Sequence, residues 1–366
     1  MFSLFLFILI NFVCIFAVEN RTVRTNMTNT SLIKIEFNRI GYDPFIDFLK
    51  GICIVLIILN HSIPSDLRTQ LLFPVWGSPA VPIFFMIQVF HFYKKGIDAT
   101  RLDFYKMWNR VVRPFLIVEV IIWAILFCME YSNNTIPSLK DTLYILTGGP
   151  GTYYPWIYIQ FALLLPLTRP FVRIKSVYAM IVFVLLSQFA EMICASFSMP
   201  EWIYRLSFFR YIFLVYLGFL LATQGLTLNR TTLMLSIISV VSVFLFSYSS
   251  IDFSPYFYHV KAWSTCHWIC YVYIAFFVII CLKVIYSYIG NHAFSNFIRQ
   301  IGKYSYEIYL FQLLYFTCFS EFIINQLSLN DKTLIIIIIS TLLCIIPVLL
   351  YKQLIWRLKS KEKITK

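Results

Sequence analysis

Asp47-Phe-Leu-Lys50-Gly-Ile-Cys-Ile-Val-Leu-Ile-Ile-Leu-Asn60-His61 carries no charged or amide side chain between residues 51 and 59. Unbroken apolar blocks of about 16–22 residues read as membrane-spanning helices, because only a helix satisfies its own backbone hydrogen bonds in lipid. Working outward, similar blocks fall near 48–63, 79–94, 114–131, 153–172, 176–195, 206–224, 232–250, 265–285, 304–325 and 333–351. Hydrophobic residues make up 60% of the 366-residue chain and charged residues 13%, against about 25% charged in soluble domains. The expected fold is an all-α polytopic transmembrane helix bundle of about ten core spans. An earlier apolar block at 2–18 leaves two readings open, an extra N-terminal span or an upstream start codon that is not used. A cleaved signal peptide there would contradict the loop charges below.

The formal net charge of +13 raises nucleic acid as a partner, but the basic residues sit in short segments between apolar blocks. One loop holds Lys94, Lys95, Arg101, Lys106, Arg110 and Arg113. A second holds Arg169, Arg173 and Lys175, a third Arg230, and a fourth Lys283, Arg299 and Lys303. With the tail residues Lys352, Arg357, Lys359, Lys361, Lys363 and Lys366, all fall on one side of a ten-span chain. The opposite loops are short or mixed, as in Asp66/Arg68 and Glu201/Arg205. By the positive-inside rule both ends of the core face the cytoplasm, in a multi-pass protein of the inner cell membrane, with the bilayer as partner and no nucleic acid. The expected organisation is an apolar segment and linker at 1–38, one membrane domain at 39–351 and a basic tail at 352–366. Internal repeats and low-complexity linkers are absent. The nine cysteines lie mostly within apolar spans and show no paired pattern. Cys266, His267 and Cys270 come nearest to a metal set, but His267 points off the face the cysteines share, so no metal is expected.

Ionisable groups inside spans are costly, and each is therefore a functional candidate. At 100° per residue, Lys50 and His61 differ in direction by about 20°, and Asp47 lies about 40° to the other side. The three share one face, with Lys50 and His61 about 16 Å apart along the axis. A cation at one mouth and an imidazole deeper on the same stripe suit an elongated anionic ligand. The plainer account is a snorkelling Lys50 and a His61 that caps the span. Arg110 and Arg113 lie one turn apart before the next span, where they can fork onto phosphate oxygens or simply supply positive-inside charge. Gly302-Lys303-Tyr304-Ser305-Tyr306-Glu307-Ile-Tyr309-Leu310-Phe311-Gln312 brings a polar, aromatic stripe into a span. Interfacial tyrosine anchoring with a Lys303–Glu307 pair is its plainer account.

These residues resemble the acyltransferase-three family of membrane acyltransferases. The family pattern of an Arg, an Asp, then a basic residue, ten residues and a His reads here as Arg39, Asp47, Lys50 and His61. Lys50 stands where Arg is usual, which keeps the charge and loses the fork. Val81–His91 resembles a Phe-Phe…Ser-Gly run, with Gln88 and Val89 in place of the small pair. Arg110, Arg113 and Pro114 match an Arg-x-x-Arg-Pro segment, Gly148–Trp156 and Phe208–Gly218 are looser matches, and Gly302–Leu310 is a close one. Gln312 stands where a His is common.

The resemblance covers roughly residues 39–350. It implies acyl-CoA, usually acetyl-CoA, as the donor, presented from the cytoplasm, with no metal. The acceptor would be a hydroxyl, occasionally an amine, of a cell-surface, exported or lipid-linked glycan. His61 would be the general base, suited to neutral pH by an imidazole pKa near 6.5 and contributing about 10²–10⁴-fold. Lys50, Arg110 and Arg113 would hold the donor's phosphates. Asp47, about 21 Å from His61 along the axis, would sit at the entry and pair with Arg110 or Arg113. Glu119 and Glu307 would support the site or serve structure, and Gln88, His91 and Arg210 would line the cavity. Two rival readings are a transporter or flippase of a lipid-linked glycan and a non-catalytic scaffold. Neither accounts for the Lys50–His61 spacing together with the Arg pair. Oligomeric state is not legible in the chain.

Overall fold

A computed structural model describes residues 31–38, 41–97, 104–132, 151–254, 256–258, 265–327 and 332–364. The block at 2–18, Arg39 and several of the loop charges lie outside the described residues. The architecture is the expected all-α membrane bundle. In chain order its main helices are α1 (Pro44–Ser62), α2 (Ala80–Tyr93), α3 (Arg113–Ser132), α4 (Tyr153–Leu164), α5 (Ser176–Ser196) and α6 (Phe213–Thr223). They continue with α7 (Arg230–Tyr248), α8 (Ile280–Ile289), α9 (Ala293–Lys303), α10 (Ser305–Leu314) and α11 (Thr333–Ile364). Local sequence starts α1: the Asp43 side chain accepts from the Phe45 N–H at 3.0 Å, and Pro44 at the first helical position gives up no needed donor.

Among the described residues, eight helical runs are long and apolar enough to cross a bilayer. They are Pro44–Ser62, Phe73–Tyr93, Phe104–Met129, Tyr178–Ser196, Arg230–Tyr248, Trp268–Ile289, Ser305–Gln326 and Thr333–Leu358. The other two expected spans are helical but broken. After α4 the chain tightens into a 3₁₀ turn, Leu165–Thr168, and a short helix, Arg169–Arg173. Pro166 and Pro170 cannot donate, so a continuous α-helix is lost there. Ahead of α6, Glu201–Leu206 and the 3₁₀ turn Phe208–Tyr211 take the place of an unbroken span. The α6 residues from Phe213 to Ala222 are all buried, so this short helix lies at the centre of the bundle. α11 runs on past residue 351, from Thr333 to Ile364.

Side chains within and beside the breaks satisfy several of the backbone groups freed there. The Tyr93 hydroxyl donates to the Leu165 carbonyl at 3.2 Å, and Thr168 Oγ1 donates to it at 2.7 Å. Gln160 bridges the second break, its amide donating to the Leu206 carbonyl at 2.7 Å and accepting from the Phe208 N–H at 3.2 Å. The Tyr271 hydroxyl donates to the Cys266 carbonyl at 2.6 Å. Broken helix at membrane depth is tolerated only with such partners or where it lines a cavity.

One element departs from an all-helical reading. β1 (Ser31–Ile35) pairs antiparallel with β2 (Leu226–Asn229), with Ile33 opposite Leu228 and Ile35 opposite Leu226. The linker ahead of α1 is thereby fixed to the loop between α6 and α7. Gly225, at φ +76°, makes the turn into β2, and a Cβ there would lie 2.3 Å from the Ile35 carbonyl oxygen.

The tightest helix contact joins α1 to α9. A Cβ on Gly302 would fall 1.6 Å from the Asp47 carbonyl oxygen, and one on Gly51 would fall 2.1 Å from that of Ile298. Two glycines on facing helices therefore let the backbones touch. Gly302→Leu should separate them at a cost of about 1–3 kcal/mol or more, seen as a lowered melting temperature of the detergent-purified protein. Ile237→Ala, on the exposed face of α7, should leave that temperature unchanged.

Candidate functional site

Lys50, Ile54, Ile57 and His61 recur at helical spacing on one face of α1, and all four line a cavity of about 770 Å³. The cavity follows α1 from the level of Lys50 to that of His61. Residues along α2, at the starts of α4 and α10, at the end of α9 and in the adjoining turns complete its wall.

At the Lys50 end, Arg110 and Lys303 join Lys50, with His91 and Gln88 on the α2 side. Arg110 sits in a π-helical turn, Trp108–Val112, that precedes α3, a distortion often found at functional sites. The Tyr306 hydroxyl donates to the Val111 carbonyl at 2.7 Å and so fixes this turn against α10. Lys303 ends α9 beside Gly302, and the glycine contact brings it to the foot of α1. The Gln88 amide donates to the Tyr158 carbonyl at 3.0 Å.

At the opposite end, the Tyr309 hydroxyl donates to the Gly151 carbonyl at 2.8 Å. This places Gly151 beside His61, where a Cβ would stand 3.9 Å from the imidazole Nε2. The His61 ring packs 5.6 Å from that of Phe316 and has no hydrogen-bond partner among the described residues. Arg68 Nη1 donates to Asn60 Oδ1 at 3.2 Å. Arg205 reaches Thr152 Oγ1 at 3.4 Å and lies 5.8 Å from the Tyr153 ring centroid. Arg68, Arg205, Asn60 and Tyr153 all line the cavity.

The structure brings Lys50, His61, Arg110, Gln88 and His91 into one wall. Other expected residues lie elsewhere. Arg113, at the end of the π-helical turn that holds Arg110, is exposed and outside the wall. Asp47 pairs with Lys50 Nζ at 2.5 Å and accepts from the Tyr42 hydroxyl at 2.8 Å, which corrects the expected pairing with Arg110 or Arg113. Its proximity on the same helix wins, three residues from Lys50. Glu307 is bound by Lys352 at 2.6 Å, not by Lys303. Glu119 is 1% exposed, and neither carboxylate oxygen has a hydrogen-bond partner among the described residues. It too lies outside the cavity wall.

Arg210 lies behind the wall, not in it. Its guanidinium rests 4.5 Å from the Tyr211 centroid and 5.6 Å from that of Tyr204, and it donates to the Arg205 carbonyl at 2.9 Å. Tyr204 in turn donates to the buried Glu191 at 2.9 Å. Nδ1 of His267 is 3.2 Å from the same Glu191 oxygen, while Cys266 Sγ contacts the Tyr211 hydroxyl at 3.8 Å. His267 and Cys266 therefore face different partners. Residue reading missed Arg68, Arg205 and the inward role of Tyr306 and Tyr309. The arginines sat in loops whose charges balance, and the tyrosines resembled interfacial anchors.

The family model described as "Acyltransferase domain", that of the acyltransferase-three family, matches residues 43–351. No curated protein and no solved structure matches the chain.

A wetted cavity makes a simple prediction about adjacent positions on α1. In a chain whose native cysteines are replaced, Ile57→Cys should react with a water-soluble thiol reagent at least about tenfold faster than Ile58→Cys, since thiol reactivity follows access. Ile57 lines the cavity, whereas Ile58 is fully buried outside it. Equal labelling would place the water path elsewhere.

Proposed function

The chain belongs to the acyltransferase-three family and is a membrane acyltransferase, and from that premise we propose that it moves a short acyl group, acetyl being the family's usual one, from acyl-CoA to a hydroxyl of a cell-surface or exported glycan. The observation that carries the reading is the single cavity joining Lys50 to His61. Lys50, which keeps its ion pair with Asp47 just outside the wall, binds the donor's phosphates at one end together with Arg110 and Lys303. A bidentate guanidinium and two ammonium groups suit a polyphosphate in that setting. Ile54 and Ile57 give the arm between the charged end and the thioester an apolar track.

His61 takes the hydroxyl proton as the acceptor oxygen forms the new ester bond to the acyl carbon. The C–S bond breaks, and the thiolate leaves along the same cavity. An imidazole without a carboxylate partner is held in place by packing, here against Phe316 and the Gly151 backbone. The loop charges support a cytoplasmic Lys50 end and an inner-membrane location. With that orientation, the acyl group meets its acceptor at the far side of the bilayer. A flippase would move the glycan itself, and it gives His61 no proton to take.

His61→Ala should lower transfer from acetyl-CoA by about 10²–10⁴-fold while leaving the protein level and acetyl-CoA affinity unchanged. Mass spectrometry of surface glycans from cells carrying the variant would check it, and full acylation would remove the base assignment. Lys50→Gln and Arg110→Gln should each weaken acetyl-CoA binding about tenfold, the size of one charge-assisted hydrogen bond. Arg113→Gln, outside the wall, should change it far less. Calorimetric titration of the purified variants measures all three.

A further inference from the structure

Beside the His61 imidazole the cavity wall holds a gap the size of one carbon. A Cβ built on Gly151 would stand 3.2 Å from Leu313 Cδ2, 3.6 Å from Tyr309 Cε2 and 3.9 Å from His61 Nε2. At Gly51 and Gly302 the same volume is already filled by backbone, with carbonyl oxygens 2.1 and 1.6 Å away. At Gly151 the nearest neighbours are side chains, and they leave room for a methyl once Leu313 gives by a few tenths of an ångström. The gap opens from the cavity, because Gly151, Tyr309 and His61 all line the wall.

Most of its boundary is held in place. The Gly151 carbonyl accepts from the Tyr309 hydroxyl at 2.8 Å and from the Tyr154 N–H at 3.1 Å. The Tyr309 ring is anchored by the same bond and stacks on Tyr306 with centroids 5.9 Å apart. His61 packs against Phe316. Leu313 lies one turn beyond Tyr309 on α10 and is fully buried, so it can shift only within a closed interior.

The gap lies where acyl transfer needs a place for the acyl substituent. A base takes a proton across about 2.6–3.2 Å, and the attacking oxygen meets the acyl carbon from about 3–3.5 Å. An acceptor oxygen bound to Nε2 therefore brings the acyl carbon into the same few ångström around Nε2 as the gap. The substituent on that carbon is uncharged, and apart from Nε2 the side-chain atoms nearest the gap are carbon.

We infer that this gap is the acyl pocket and that Leu313 sets the acyl length, admitting the single methyl of an acetyl thioester and turning away longer chains. The inference rests on the acyltransferase reading of the same cavity, with His61 as the base. A second carbon would have to enter volume that Leu313 Cδ2 and the Tyr309 ring occupy, and a close-packed interior resists one extra methylene.

The test uses inverted membrane vesicles from cells that carry the full chain, or a variant in place of the chromosomal copy. The cells' own glycans are the acceptor, and acetyl-, propionyl- or butyryl-CoA is the added donor. The acyl mass gained by the glycan is followed by mass spectrometry, and donor affinity is measured on the purified protein. In the unaltered chain each added methylene should lower kcat/KM by about 10–200-fold. Leu313→Ala should raise butyryl transfer relative to acetyl transfer by at least about tenfold. Leu313→Val should move the ratio the same way by less, and it carries the comparison if Leu313→Ala fails to accumulate. Leu217→Ala, at an equally buried leucine of α6, should leave the ratio unchanged. A merely structural role for Leu313 would slow all three donors together.

Equal kcat/KM for the three donors in the unaltered chain would overturn the inference. So would a donor preference that neither Leu313 variant alters. If transfer in those cases still vanishes in His61→Ala, the acyltransferase reading stands without this pocket. Transfer from none of the three donors would remove both.

Discussion

An ionised side chain inside hydrocarbon costs at least about 2.5–3.5 kcal/mol, and a helix bundle can carry interior cations only by enclosing water or partners around them. Five cations line the central cavity here, and their burial sets the demands on the rest of the bundle. Helices around them must stay apart enough to leave about 770 Å³. They must also be held firmly elsewhere, so that the bundle does not collapse onto its own charges. The α1–α9 contact supplies one such fixed point. Gly51 and Gly302 bring two backbones together at the foot of α1, and Lys50 and Lys303 are carried into place by that approach.

Tyrosines on α10 do related work along the cavity. Tyr306 and Tyr309 stack with centroids 5.9 Å apart, and each donates its hydroxyl to a backbone carbonyl across the bundle. One holds the turn that carries Arg110, the other the Gly151 backbone beside His61. A single stripe on one helix therefore fixes the distance between the two ends of the site. Rigid rings lose little rotamer freedom when ordered, which suits them to this role better than longer polar side chains.

Much of the fold was legible because lipid leaves so few options. Every expected apolar block is helical in the described residues, and the Lys50–His61 face follows from helical periodicity alone. What sequence reading missed depends on tertiary approach. Arg68 and Arg205 lie beside Asp66 and Glu201, so charge counting cancels each pair and hides that the arginines line the cavity. Arg110 and Arg113 look equivalent as a motif. Only Arg110, within the π-helical turn, enters the wall. The β1–β2 pairing joins residues almost 200 positions apart, for which local pattern gives no signal.

The broken helices explain why the His61 end can recognise anything at all. A continuous helix presents its side chains but consumes its backbone groups internally. The breaks at 165–168 and 206–211 keep α4 and α6 short, and Gln160 and Tyr93 from within the bundle satisfy the freed groups. The Glu201–Leu206 helix sets Arg205 beside Thr152, whose neighbour Gly151 lies against His61. Gln160, a residue with no contact to His61 or to the cavity cations, thus belongs to the architecture of the site: it lets the backbone break at membrane depth without leaving a carbonyl unpaired.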